Sequence, residues 1–227
     1  MSIAENLAQV RKEIEAAARR AGRDPAEIKL VAVSKTVPAE VIAQAVEAGV
    51  DALGENRVQE ALGKQEEVPG AAWHFIGHLQ TNKVKKVIGK FELIHSLDSI
   101  RLAREIGRRS QEAGITTDTL VQVNIGREES KFGLPREEVL PFIDEARKIP
   151  GLKILGLMAI PPFEEEPENA RPYFQELRSL FEEVAAKGWP EVEMRWLSMG
   201  MSSDFQVAIE EGANIVRVGT RIFGQRQ

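Results

Sequence analysis

The stretch "KLVAVSKTVP" (residues 29–38) sets four apolar residues ahead of a lysine, then turns through Thr-Val-Pro into an amphipathic run. A short branched strand that gives way to a turn and a helix is the repeating unit of an α/β fold. Lys35 falls at the carboxyl end of that strand, as either a solvated loop residue or an amine held at the mouth of a pocket. The rest of the chain bears on that choice.

Outward from this unit the same pattern recurs. Strands are predicted over 29–34, 52–54, 72–76, 93–95, 119–124, 154–160, 195–199 and 215–218. Helices are predicted over 39–48, 57–66, 80–88, 99–113, 136–147, 168–187 and 203–211. Gly49, Gly114, Gly188 and Gly212 stand where helix C-termini favour glycine. Ahead of the first strand, Ser2 and Glu5 have capping-box spacing, and Ile3, Leu7, Val10, Ile14 and Ala17 recur at helical intervals. The fold expected is α/β: a single (β/α)8 TIM-type barrel over residues 1–227, preceded by an extra N-terminal helix. A doubly wound open sheet competes, because alternation alone does not fix closure. The Pro/Glu-rich "PPFEEEPENARP" reads as one loop opening into a helix, not as a linker.

Composition narrows the chemistry. The 227 residues are 43% hydrophobic and 29% charged, with net charge −5, a balance that argues against nucleic acid as a partner. There is no cysteine, which removes disulfides, thiolate nucleophiles and cysteine zinc sites. Charged residues from Glu5 onward and the lack of a long apolar run point to a cytoplasmic protein with no membrane partner.

In a barrel, chemistry gathers at the carboxyl ends of the strands. There the sequence sets Lys35, then Glu55, Asn56 and Arg57, then Gly77 and His78, Ser96, Asn124 and Met158. The last two of these ends carry "SMGMSSD" and "RVGTRIFG". Ser202 and Ser203 stand ahead of a helix whose unpaired N–H groups favour an anion, and Gly219 with Thr220 offer a second such bend. Ser202 and Ser203 as simple helix caps are the plainer reading, but two such loops on neighbouring strands suggest a phosphate site. Strands 1 and 8 adjoin in a closed barrel, so Lys35 would lie beside it. An amine held partly out of water titrates below its usual value of about 10.4 and attacks carbonyls more readily. Lysine beside a phosphate pocket suggests an imine with a phosphorylated aldehyde, of which pyridoxal 5′-phosphate is the commonest cofactor. A lysine-dependent sugar-phosphate aldolase is a weaker alternative.

The segments "VAVSKTVP", "GENRVQE", "WHFIGHLQTNKVK", "VNIGREESKFG", "LSMGMSSDF" and "RVGTRIFG" together resemble the YggS/PROSC-type pyridoxal phosphate homeostasis family over essentially the whole chain. The resemblance implies a barrel similar to the alanine racemase N-terminal domain, binding pyridoxal 5′-phosphate without established turnover. It places the imine on Lys35 and the phosphate on Ser202, Gly219 and Thr220. Ser198 and Met199 would line the pocket, Asn56 would neighbour the ring near its 3′-oxygen, and Arg217 would face the pyridine nitrogen. A cation there weakens the ring as an electron sink. The chain has one tyrosine, Tyr173, on an amphipathic helix where packing is the expected role, so the opposing acid/base of racemases lacks a counterpart. The function expected is a cofactor carrier or buffer, monomeric, with apo pyridoxal phosphate enzymes as possible recipients. A weak amino-acid racemase or decarboxylase is the alternative.

Three further features were weighed. His74 and His78 straddle a strand end without an acidic third ligand, so His74 is expected as a hydrogen-bonding residue and no metal site is assigned. Lys83, Lys85 and Lys86 form a basic cluster, read as a solvated face or a contact for an acidic partner. Lys131 would either accept a transferred aldehyde or, the preferred reading, pair with Glu128 or Glu129.

Overall fold

Each strand alternates between two cores, and this alternation builds the molecule. In β1 (Lys29–Val33), Leu30 and Ala32 belong to the outer core packed under the helices, whereas Val31 belongs to the inner core of the barrel. The computed structural model describes residues 2–224. Its strands close in sequence order into a parallel barrel of eight. After β1 come α2 (Ala39–Glu47), β2 (Ala52–Glu55), α3 (Val58–Glu67), β3 (Trp73–Phe75), α4 (Val84–Val87), β4 (Leu93–Leu97) and α5 (Ile100–Glu112). Then follow β5 (Thr117–Val123), α6 (Arg136–Ala146), β6 (Leu152–Ala159), α7 (Arg171–Ala185), β7 (Val192–Ser198), α8 (Phe205–Glu210), β8 (Ile215–Val218) and α9 (Thr220–Phe223). Pairing of Leu30 with Val216 and of Val31 with Arg217 closes the ring, so the open-sheet alternative is excluded.

The N-terminal helix α1 (Ile3–Arg20) begins with the expected capping box, Ser2 and Glu5 each accepting the other's backbone N–H. Its buried residues Leu7, Val10, Ile14 and Ala17 pack with α8 and α9 against the barrel's outer wall. The inner core is small. Val31, Ala52, Leu93, Leu120, Leu155, Met158 and Ile215 fill the barrel's interior with polar side chains at both mouths. Among the described residues, no helix is long and apolar enough to cross a membrane.

Two regions differ from expectation. The stretch 80–88 is not one helix: residues 81–83 form a 3₁₀ turn and only Val84–Val87 are α-helical. Thr81 and Asn82 are weak helix formers, which fits a tighter turn here. The short helix α9 after β8 was not foreseen, because its four residues carry no periodicity.

Gly156 is the tightest backbone contact in the barrel. Its φ is +148°, and a Cβ there would meet the Trp196 carbonyl oxygen at 1.8 Å, where the β6–β7 register shifts. Gly156→Ala is expected to cost about 3 kcal/mol or more, read as a fall in the denaturant midpoint; an unchanged midpoint would show that β6 and β7 can separate freely.

Candidate functional site

Lys35 extends the inward-facing series Lys29, Val31, Val33, and it lies half-buried at the carboxyl-terminal mouth. The turn that carries it is held from outside the barrel wall. Ser34 Oγ donates to Glu55 Oε1 at 2.7 Å, and the Ser34 carbonyl accepts from Lys64 Nζ at 2.7 Å. Lys64, on α3, also donates to Glu55 Oε1 (2.7 Å) and Glu60 Oε1 (2.6 Å). Glu60 Oε1 in turn accepts the Thr36 N–H at 2.5 Å. Thr36 has φ +64°, a left-handed conformation costing a threonine roughly 1–2 kcal/mol. Lysine 35 is therefore flanked on both sides by backbone groups that one buried cluster grips.

Glu55 is fully buried, and burial pushes its carboxyl above the ordinary range while Lys64 and Ser34 oppose that. Sequence reading placed Glu55 at the strand end but did not identify Lys64, Glu60 or Ser34. The signal was present in α3, where Val58, Ala61 and Lys64 follow one another at threes along the buried face.

The predicted phosphate loops come together as expected in position, but not with free groups. The Gly219 N–H donates to Ser202 Oγ at 3.2 Å, so Gly219 is not an exposed amide. Helix α8 starts at Phe205. Asp204 is not its first turn: the buried Asp204 carboxylate accepts the Met201 N–H at 2.6 Å, and burial raises its pKa. Gly200 has φ +88°, and a Cβ would meet Ala208 Cβ at 2.5 Å, which keeps this loop folded on α8. Thr220 is exposed at the start of α9. Met199 is fully buried in the outer core, so any contribution it makes to a pocket comes from its backbone.

Inside the barrel, Ser198 and Arg217 belong to a chain of buried polar groups. Arg217 is 3% exposed; its Nη1 donates to Ser198 Oγ at 2.6 Å and its Nη2 to the Ala159 carbonyl at 2.9 Å. Ser198 Oγ lies 3.0 Å from His95 Nδ1, and His95 Nε2 lies 3.0 Å from His74 Nδ1. Desolvation lowers the Arg217 pKa to about 10, with Asp204 opposing. It lowers His74 to about 3 and His95 well below its usual value, so both rings are neutral. His74 is the hydrogen-bonding residue the sequence suggested; His95, inward on β4 with Leu93, was missed.

Asn56 follows β2, and its Oδ1 is buried without a partner. Gly77 makes that placement possible, since a Cβ there would meet the Asn56 carbonyl at 2.4 Å. A cavity of about 440 Å³ opens beside it, lined by Asn56, Arg57, His78 and Lys83 among others. His78 pairs with Asp98 at 3.3 Å and stacks on Phe132 at 3.8 Å. Lys131 is exposed, and among the described residues it forms no ion pair with Glu128 or Glu129, contrary to expectation. Asn124 explains this: its side chain bonds the Glu128 N–H and carbonyl, which shapes the loop through the backbone instead.

Two consequences are measurable. Lys64→Met leaves the buried Glu55 carboxylate without its cation, a loss of about 3–5 kcal/mol, and adding Glu55→Gln should recover part of it in urea unfolding; a wild-type midpoint in Lys64→Met would show that the cluster bears no load. For the histidines, the folded pKa lies below the unfolded value, so their contribution is complete above about 6.5 and is lost as pH falls toward 3. Each should remove about 1.4 kcal/mol per pH unit between pH 6 and 5, a slope that His74→Gln would roughly halve; stability flat across that window would mean the rings are charged in the folded state.

Comparison with known proteins shows the family. The model of the alanine racemase N-terminal domain matches residues 6–227. The pyridoxal phosphate homeostasis protein of Aquifex aeolicus is 48% identical over 229 residues, covering 100% of both chains. The protein of that name from Escherichia coli K12 is 41% identical, covering 99% of this chain and 97% of its own. PipY of Synechococcus elongatus, solved with PLP bound, superposes with a TM-score of 0.85 at 35% identity, covering 98% and 100%. An alanine racemase of Clostridium difficile shares the fold alone, with TM-score 0.79 and 16% identity, covering 99% of this chain but 57% of that one. This chain therefore belongs to the pyridoxal phosphate homeostasis proteins, the family built on an alanine racemase N-terminal domain barrel.

Proposed function

We propose that this protein binds pyridoxal 5′-phosphate through Lys35 and serves as a carrier or buffer of that cofactor, with residues 1–227 as one cofactor-binding barrel. The observation that carries this reading is convergence at one mouth: a gripped lysine, an amide with an unpartnered oxygen, and two short helix starts joined by one hydroxyl. Relatives with this barrel bear the name pyridoxal phosphate homeostasis protein, and one was solved with PLP.

The residues fit the cofactor. Lys35 Nζ, at the carboxyl-terminal mouth, would hold the cofactor through its aldehyde. Asn56, whose Oδ1 lacks a partner, turns its amide toward the ring's 3′-oxygen. Ser202 Oγ, the Gly219 N–H and the Thr220 hydroxyl would hold its phosphate, the first two being already joined to each other. Ser198 and the backbone of Met199 form the pocket floor, and Ser198 positions Arg217 against the pyridine nitrogen. When bound, pyridoxal phosphate supplies an electron sink; a guanidinium at its nitrogen disfavours protonation there and mutes that sink. Tyr173 packs against the core from α7, which supports binding without turnover. Recipients would be apo pyridoxal phosphate enzymes, served by a monomer in the cytoplasm.

The test is the visible spectrum of protein loaded with pyridoxal phosphate, wild type beside Lys35→Ala, with borohydride reduction and peptide mapping. A yellow band that is reduced onto Lys35 and is absent from the variant is expected, with no turnover of amino acids. A wild type that cannot be loaded would overturn the cofactor assignment, and Lys35-dependent racemisation or decarboxylation would overturn the carrier role.

A further inference from the structure

The buried polar chain has a direction, and its far end opens on a second cavity. Arginine has donors only, so the Arg217–Ser198 bond makes Ser198 Oγ an acceptor there. The Ser198 hydroxyl must then give its own hydrogen to its other neighbour, His95 Nδ1. That makes His95 the Nε2–H tautomer, which donates to His74 Nδ1. His74 is then the Nε2–H tautomer too, and its N–H has no partner among the described residues. Reversing the order would leave the hydrogen of the fully buried Ser198 hydroxyl with no acceptor, which burial disfavours.

His74 is 1% exposed and lines a cavity of about 340 Å³ at the amino-terminal mouth, opposite Lys35. Lys29, Arg195, Glu92, Asp118 and Trp196 line the same cavity. Lys29 lies 5.2 Å from the centroid of the Trp196 ring, and Lys29 has no ion pair among the described residues. Arg195 pairs with Glu193 and lies 6.0 Å from the same ring. The volume falls in the range of small-ligand pockets.

We propose that this amino-terminal cavity binds a small carboxylate, whose oxygens accept from His74 Nε2–H and Lys29. Three observations carry it: a nearly buried donor aimed into the cavity, a half-buried lysine beside it, and an indole wall. A second cation, Arg195, adds to the attraction. Glu92 and Asp118 on the opposite side disfavour a dianion and suit an ammonium group, so an amino acid fits better than a phosphate. The site does not depend on the cofactor assignment.

The experiment is side-chain ¹⁵N NMR of the histidines during titration with L-alanine, pyruvate, acetate and inorganic phosphate. A saturable shift of His74 Nε2 with a carboxylate is expected. Tighter binding of alanine than of pyruvate would assign Glu92 and Asp118 to the ammonium. In the Lys29→Gln, Arg195→Gln double variant the apparent affinity should fall about tenfold or more. Lys35→Ala should bind with unchanged affinity; loss of binding there would place the ligand at the opposite mouth and overturn the site. No saturable shift with any carboxylate, which would leave water as the only occupant, or preference for phosphate over all three, would also overturn it.

Discussion

A guanidinium inside a closed barrel constrains everything around it. Arg217 brings five N–H donors and a charge into a space otherwise filled by Val31, Leu93, Leu120 and Ile215, and none of those side chains can answer it. The acceptors come from the neighbours: the Ala159 carbonyl at the end of β6, the Ser198 hydroxyl at the end of β7, and the Asp204 carboxylate acting at longer range. Ser198 in turn commits His95, and His95 commits His74. The small aliphatic interior exists because polar residues occupy both ends, so the barrel is less a hydrophobic plug than a short apolar belt between two wet mouths.

A second constraint acts from outside. Lys64 enters from α3 and touches the carbonyl of the residue before Lys35, while Glu60 holds the amide of the residue after it. The backbone on both sides of Lys35 is therefore held in place. Buried ion pairs commonly add little net stability, because desolvation offsets attraction. Here the geometry gives the pair another task, since Thr36 would otherwise relax from its left-handed conformation and swing the lysine with it.

Most of the architecture was readable because β/α alternation imposes a period that packing then honours. Even the short β2 was found, at 52–54 against the observed Ala52–Glu55. The places of Lys35, Asn56, Ser198, Ser202, Arg217 and Gly219, in or just after the strands, were legible in the sequence. Their partners were not. Spacing with Val58 and Ala61 puts Lys64 on the buried face, but a lysine on an amphipathic helix is ordinarily solvated, and its burial depends on Glu55 and Glu60 meeting it in space. His95 was hidden for a similar reason: inward alternation gives it a face, but only closure of the barrel brings β3, β4 and β7 side chains together. The α9 turn and the backbone-held Glu128 loop are set by a few local hydrogen bonds that leave no periodic trace.

The direction of the buried chain has a consequence for protons. A hydrogen-bonded wire conducts a proton only if each member can accept on one side, release on the other and then turn back for the next. Here Arg217 holds its end fixed, both rings resist a charge, and burial leaves little room for a ring to rotate. His74 at the amino-terminal end is thus linked by continuous hydrogen bonds to Arg217, while neither ring between them readily carries a charge. The chain transmits orientation and blocks charge, so a group bound above Arg217 would keep its protonation state whatever the acidity below.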